Sequence, residues 1–431
     1  MAQVQLNEIP ATAEDLEDYV AALFQSAGYF VEKNLTERDP GDILELDVVA
    51  TNYETTTPVS TLGEVKGGKW GYPDIFKLLG WMTYLDKDRG AFFVKTGNNK
   101  DVESVASKLA PQGIQVVCFE DFSESLKKFE NAGLGRVSDE KVVDTWRFSY
   151  LIERKLAHKL ATYTRSTPES QGAQATLEYA RLVNDGIFFT KSEETSLQLL
   201  YAAYQDHPKL ALAAAHEMEG NPYTPNPPSG SPKLKEALYE GKHPLLQACL
   251  YTEHRARLAL LRAGVDICCK LVKDLGRPPT ESDWEDLDLR YAPYSFQQAL
   301  KWLAVQPTFH RYALLWQQFL WNWGGMIFTD RIQDEYEWMA SDSGVPIQEI
   351  PSALTAFDRF FPLGFNNSWL KNLNNSVVKA VVLLPPYFRG IGAYRRNLKY
   401  NWMSDANRIG TFDYTAHLVV TWTNSTVQFL T

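Results

Sequence analysis

Near the N-terminus two short runs, ILELDVVA (43–50) and TLGEVKGG (61–68), alternate apolar and polar side chains. Successive residues of a strand leave opposite faces of a sheet, so this alternation specifies two half-buried strands. A polar, threonine-rich turn region (51–58) separates them. Whatever else the chain does, it must build a sheet at its start.

The surrounding pattern extends that sheet. A helix is predicted after Thr12, an N-cap, with Glu14 and Asp15 in its first turn and Leu16, Val20, Leu23, Phe24 and Ala27 on one stripe. Gly28 ends it. Strands follow at 29–33, 43–51 and 59–66. A helix comes after Pro73 and Asp74, then a strand at 91–96, a helix at 101–110 and a strand at 114–119. The order α-β-β-β-α-β-α-β implies a mixed sheet flanked by helices. Residues 123–139 turn polar and read as a linker. Beyond it helices are predicted at 142–163, 173–184, 193–205 and 210–218. The segment 220–232 packs five prolines into thirteen residues and reads as a linker or exposed loop. Helices resume at 233 and run past Cys269, and another starts at Ser282 with Glu285 in a capping box. Strands are expected at 377–384 and 416–429, around a helix near 394–403. The implied division is 1–122 as an α/β domain, 123–140 as a linker, 141–219 as a helical domain, 220–232 as a linker or loop, and 233–431 as a mainly helical domain with some strands.

At 431 residues the chain exceeds one compact core. Its 45% hydrophobic and 22% charged content is that of an ordinary folded protein. No apolar run reaches the roughly 18 residues of a membrane span. The N-terminus shows no export signal, and the four cysteines lack metal-ligand spacing, which fits reduced thiols and a cytoplasmic location. The net charge of −10 lies wholly in the first 121 residues, with 10 Lys+Arg against 20 Asp+Glu. An acidic domain does not attract nucleic acid unaided, because phosphate contacts come from Lys and Arg.

The chemistry centres on Asp47, Glu64 and Lys66. Glu-x-Lys alone means little, and Glu153-Arg154-Lys155 and Glu240-Gly241-Lys242 repeat it in helical and turn settings. Only Glu64-Val65-Lys66 follows an acidic strand. Glu64 and Lys66 share a strand face. Asp47 shares one with Glu45 and Val49, with Leu46 and Val48 opposite. If the strands pair, two carboxylates and an ammonium converge. Such a patch suits a hard divalent cation, which neutralises a scissile phosphate and lowers the pKa of bound water. Glu17 borders the helical stripe within reach, whereas Glu14 and Asp18 point outward. The competing expectation is two exposed strand carboxylates ion-paired to Lys66, and Glu45 is a weaker substitute for Asp47.

These pieces, LEDYVAALFQSAGYFV, ELDVVA and GEVKGG in α-β-β-β-α-β order, resemble the PD-(D/E)XK, or restriction-endonuclease-like, nucleases. The likeness is nearest to Mrr-type enzymes and archaeal Holliday-junction resolvases, and covers roughly the first 120 residues. Leu46 replaces the proline of the "PD" pair. The resemblance implies an α/β restriction-endonuclease-like domain fused to a large, mainly α-helical C-terminal region. It implies a Mg²⁺-dependent (or Mn²⁺-dependent) endonuclease in which Asp47, Glu64 and the Val65 carbonyl bind metal. Lys66 would serve the attacking water and Glu17 would assist. DNA is the implied substrate in preference to RNA, and the fusion looks like a restriction or anti-phage defence effector. A repair or junction-resolving nuclease is the nearest alternative, and a non-catalytic nucleic-acid-binding scaffold the alternative from another class. Related folds often pair two sites, so a homodimer, or partner proteins held by the helical region, is an open expectation.

Two further stretches suggest nucleic-acid contact. Lys69, Trp70 and Tyr72 follow the motif. RGIGAYRRNLKYNW (389–402) interleaves Arg389, Arg395, Arg396 and Lys399 with aromatics, which suits backbone contact plus base stacking. His216-Glu217 lacks the second histidine of a zinc-protease helix. No phosphate-cradling glycine loop with Lys-Ser/Thr occurs.

Overall fold

The computed structural model describes residues 6, 10–37, 44–97, 101–166, 168, 171–185, 191–206, 241–363, 368–373, 377–400 and 414–431. They fall into two compact units. One is Gln5–Arg147 with Asn184–Ser192, and the other is Met1–Val4, Phe148–Val183 and Glu193–Thr431.

The first unit is built on a five-stranded mixed sheet. Its elements are α1 (Ala13–Ser26), β1 (Phe30–Glu37), β2 (Leu44–Asn52), β3 (Val59–Lys66), α2 (Tyr72–Tyr84), β4 (Arg89–Val94), α3 (Val102–Leu109), β5 (Ile114–Cys118) and α4 (Ser125–Asn131). The expected α-β-β-β-α-β-α-β order is observed, with strands in the order β1-β2-β3-β4-β5. The first three strands run antiparallel, and β4 and β5 run parallel to β3. Local chemistry sets α1: the Thr12 hydroxyl accepts the Asp15 N–H, Asp15 caps Thr12 in return, and Gly28 (φ 87°) takes the left-handed turn that ends the helix.

Helices cover both faces. Ile75, Leu78, Trp81 and Met82 of α2 and Val105 and Leu109 of α3 pack on Leu62, Phe92, Val94 and Ile114. On the opposite face Phe24 of α1 meets Phe93 edge-on and Phe129 of α4. That last contact corrects the linker expected at 123–140. Most of its polar residues face water, while Phe129 is fully buried and Ser125 is buried against the Tyr19 hydroxyl, so the segment folds back as α4. The unit accordingly runs to Arg147 rather than stopping at 122.

The second unit is mainly helical. α5 (Glu140–Ser166) leads into it, followed by α6 (Gln171–Val183), α7 (Glu193–Asp206) and α8 (Pro244–Leu275), then α9 (Tyr294–Ala304), α10 (Tyr312–Trp321), β6 (Met326–Phe328), α11 (Ile332–Ser343), β7 (Leu370–Asn372), β8 (Val378–Val381), α12 (Pro386–Tyr400) and α13 (Tyr414–Leu430). α6 and α7 pack against α8, so the helical stretches assigned to separate domains at 141–219 and 233–431 belong to one unit. The expected helix at 210–218, His216 and the proline-rich segment 220–232 lie outside the described residues.

Two other expectations change. The capping box near residue 282 belongs to Thr280 and Asp283 and opens a single turn, Glu281–Trp284. The strand expected at 416–429 is α13. Its Val, Thr and Trp residues favour strands locally, but packing against α12 decides the matter. Gly390 of α12 lies so close to α13 that a Cβ there would sit 2.7 Å from the Trp422 carbonyl oxygen.

Candidate active site

The β2–β3 pairing supplies the site by stopping early. Its register runs from Asn52↔Val59 to Val48↔Gly63, and one step further would set Asp47 opposite Glu64. No rung forms there; instead the Asp47 carboxylate accepts the Val65 N–H at 2.7 Å. Lys66 gives its carbonyl to the Lys95 N–H just beyond β4. Neighbouring residues of a strand turn their main-chain groups to opposite sides, so Val65 directs its C=O, like its N–H, toward β2 and Asp47. The site sits at the carboxyl end of β3, where α/β sheets commonly hold ligands.

Asp47 also marks a break in alternation. Leu46 and Val49 lie in the same core cluster beneath α2, whereas Val48 meets Gly63 and Phe93 on the α1 side. Leu46 and Val48 therefore do not share a face, contrary to simple alternation. The facing strand explains this: between Lys33↔Val48 and Leu35↔Leu46 lies Asn34, at φ 52°, a left-handed conformation that re-aims the pair.

Glu64 is 0% exposed. That excludes the solvated-carboxylate reading for this residue. The Lys66 ammonium lies 2.5 Å from its Oε1 and 4.0 Å from Asp74, while Oε2 has no hydrogen-bond partner. A buried carboxylate oxygen without a donor is costly unless a cation completes it. Glu45, by contrast, is exposed on β2.

Electrostatics follow from this crowding. Burial and the neighbouring Glu64 charge push Asp47 up to about 7, against the pull of the Val65 N–H. Burial works to lower Lys66, but contact with Glu64 and the charges of Asp47 and Asp74 outweigh it and hold the ammonium above its usual range. Lys66 is thus a firmly protonated cation. Burial also raises Glu17, with Lys33 opposing.

α1 brings Glu17 to the same end of the sheet. Gly67, next to Lys66, lies against the helix start, where an added Cβ would be 3.2 Å from Ala13 Cα. Glu17 is one helical turn along from Ala13, on the same side. Glu14 is exposed as expected, but Asp18 is buried, paired with Lys33 of β1. That ion pair was hidden in the sequence because its partners sit on different elements.

The basic–aromatic stretch near the C-terminus does not form a surface patch. Arg389, Arg395 and Arg396 are buried. Arg389 donates to the Val381 carbonyl at 2.9 Å. Arg395 donates to Asn322 and pairs with Asp342. Arg396 is held by Glu335 and by the carbonyls of Trp323, Met326 and Gly392. Nearly all of α12 as far as Arg396 packs inward, and Asn322, Asp342, Glu335, Trp323 and Met326 lie 53–73 residues away in sequence. Lys399 is exposed, 4.4 Å above the Trp338 ring. Near the site, Lys69 and Tyr72 are exposed, whereas Trp70 is buried and donates its indole N–H to Thr96.

Among the described residues no group of three or more His, Cys, Asp or Glu is placed to hold a metal ion. The candidate centre is smaller: two carboxylates, Asp47 and Glu64, beside one main-chain oxygen, that of Val65. Hard divalent cations accept such oxygens and keep water as their remaining ligands. All four cysteines are free thiols, three of them buried. No helix among the described residues is long and apolar enough to cross a membrane. No family model matches the chain, and neither a curated protein nor a solved structure matches it.

Proposed function

We propose that the first unit is a divalent-metal-dependent nuclease hydrolysing phosphodiester bonds, with Mg²⁺ or Mn²⁺ held by Asp47, Glu64 and the Val65 carbonyl. The observation that carries this reading is the buried, donor-free Glu64 oxygen beside a strand end whose main chain turns toward Asp47. A bound cation would polarise the phosphate and supply a water of lowered pKa. Lys66, as an ammonium, would orient the nucleophile and offset charge in the transition state. Glu17 would accept hydrogen bonds from metal-bound water at the rim, and Lys69 would touch the substrate backbone. DNA is the proposed substrate, and a restriction or anti-phage effector the proposed role, both from the resemblance.

The test is to incubate supercoiled plasmid and single-stranded DNA with wild type, Asp47→Asn and Lys66→Ala in Mg²⁺, Mn²⁺ or EDTA. Wild type should cleave only with metal, and each variant should fall by at least about a hundredfold. Undiminished cleavage by both variants would remove the assigned site.

A further inference from the structure

A second ammonium group reaches Glu64 from a different element. Lys77 lies in α2, about one turn past Asp74. Its Nζ stands 3.5 Å from Glu64 Oε1 and 4.2 Å from the centre of the Trp81 ring. Two lysines thus share one oxygen of a carboxylate removed from water. They are not equivalent. Lys66 is two residues along the same strand and shares the face of Glu64, so it has little freedom to leave. Lys77 is 38% exposed, makes the longer contact and rests on an indole face that can hold it independently.

The charges explain why a second cation is present. Glu17, Asp47 and Glu64 act on Lys66, with Asp74 at the edge, and Lys77 adds a second ammonium at Glu64; Lys33 is already paired with Asp18. In the metal-free protein Lys77 supplies part of the compensation that a divalent ion would otherwise bring. An ammonium and a metal ion on one carboxylate repel each other, and the flexible partner is the one that yields.

Building on the metal-centre reading, we propose that Lys77 is an exchangeable counter-ion. It neutralises Glu64 while the centre is empty, then turns outward to bind a backbone phosphate of the nucleic acid next to the scissile one. Lys77 is thus a competitor of the metal for Glu64 and a contact residue for the substrate.

The two roles predict opposite changes, which a merely structural lysine would not give. Full-length wild type, Lys77→Gln and Lys77→Arg are compared in two assays. Mn²⁺ binding without nucleic acid is followed by loss of the free-ion electron paramagnetic resonance signal. Binding of a fluorescent DNA duplex in Ca²⁺ is followed by anisotropy over a range of salt. Lys77→Gln should bind Mn²⁺ about tenfold tighter, because a like charge no longer competes for Glu64. It should bind DNA several-fold more weakly, with a salt slope smaller by about one. Lys77→Arg should restore both. Unchanged or weaker Mn²⁺ binding by Lys77→Gln, or an unchanged DNA salt slope, would overturn the proposal. Wild type that takes up no Mn²⁺ would overturn the metal centre itself, and the proposal with it, a result distinct from Lys77→Gln matching a wild type that does bind.

Discussion

Asp47 carries the sharpest single-residue consequence. Its acid form is favoured in the folded protein, where it titrates at about 7 rather than 3.8. The fold therefore holds a proton that the unfolded chain releases, and stability falls as pH rises from about 4 to about 7. The full shift corresponds to at most about 4 kcal/mol. Asp47→Asn keeps an acceptor for the Val65 N–H but cannot ionise. In EDTA it should be more stable than wild type at pH 8 by about 1–3 kcal/mol and close to it at pH 4. Urea unfolding at both pH values measures this, and equal pH slopes for the two proteins would refute it. The Glu64–Lys66 pair was legible in the sequence because strand alternation places the two on one face, whereas the faces of β2 around Asp47 were not, because Asn34 breaks the alternation there. Lys77 and the Asp18–Lys33 pair were not, since each contact joins elements whose packing no local pattern encodes.

Among the elements, α1 is tied to the site through Gly67. Gly67→Ala would press a methyl against Ala13 Cα at 3.2 Å and push back the helix start, and with it Glu17. Displacements below one ångström already weaken catalysis, so cleavage should fall about tenfold while thermal unfolding shifts by only a few degrees. An unaltered rate would detach α1 from the chemistry. Most elements of the first unit could be read from sequence because they keep the strand or helix period, which β1 and β2 leave only around Asn34 and Asp47. α4 could not, since only Phe129 announces that a polar segment folds back. Nor could α13, whose β-branched residues are overruled by the close approach of Gly390.

For the molecule as a whole, charge is the governing quantity. The net charge of −10 lies in the first 121 residues. The arginines expected to offset it for a nucleic-acid ligand are enclosed in the second unit, Arg396 with 0% exposure. Under the proposed nuclease reading, metal ions would then supply much of the attraction for DNA. Replacing Ca²⁺ by EDTA at constant ionic strength should weaken duplex binding at least about tenfold in an anisotropy titration, and equal affinities would show that a basic surface suffices. The same dependence bears on the early end of the β2–β3 ladder. A fork between two strands survives only while nothing knits it shut. Substitutions at Asn34 that straightened β1 could let the rungs run on past Val48 and close the mouth of the centre with every acidic side chain still in place.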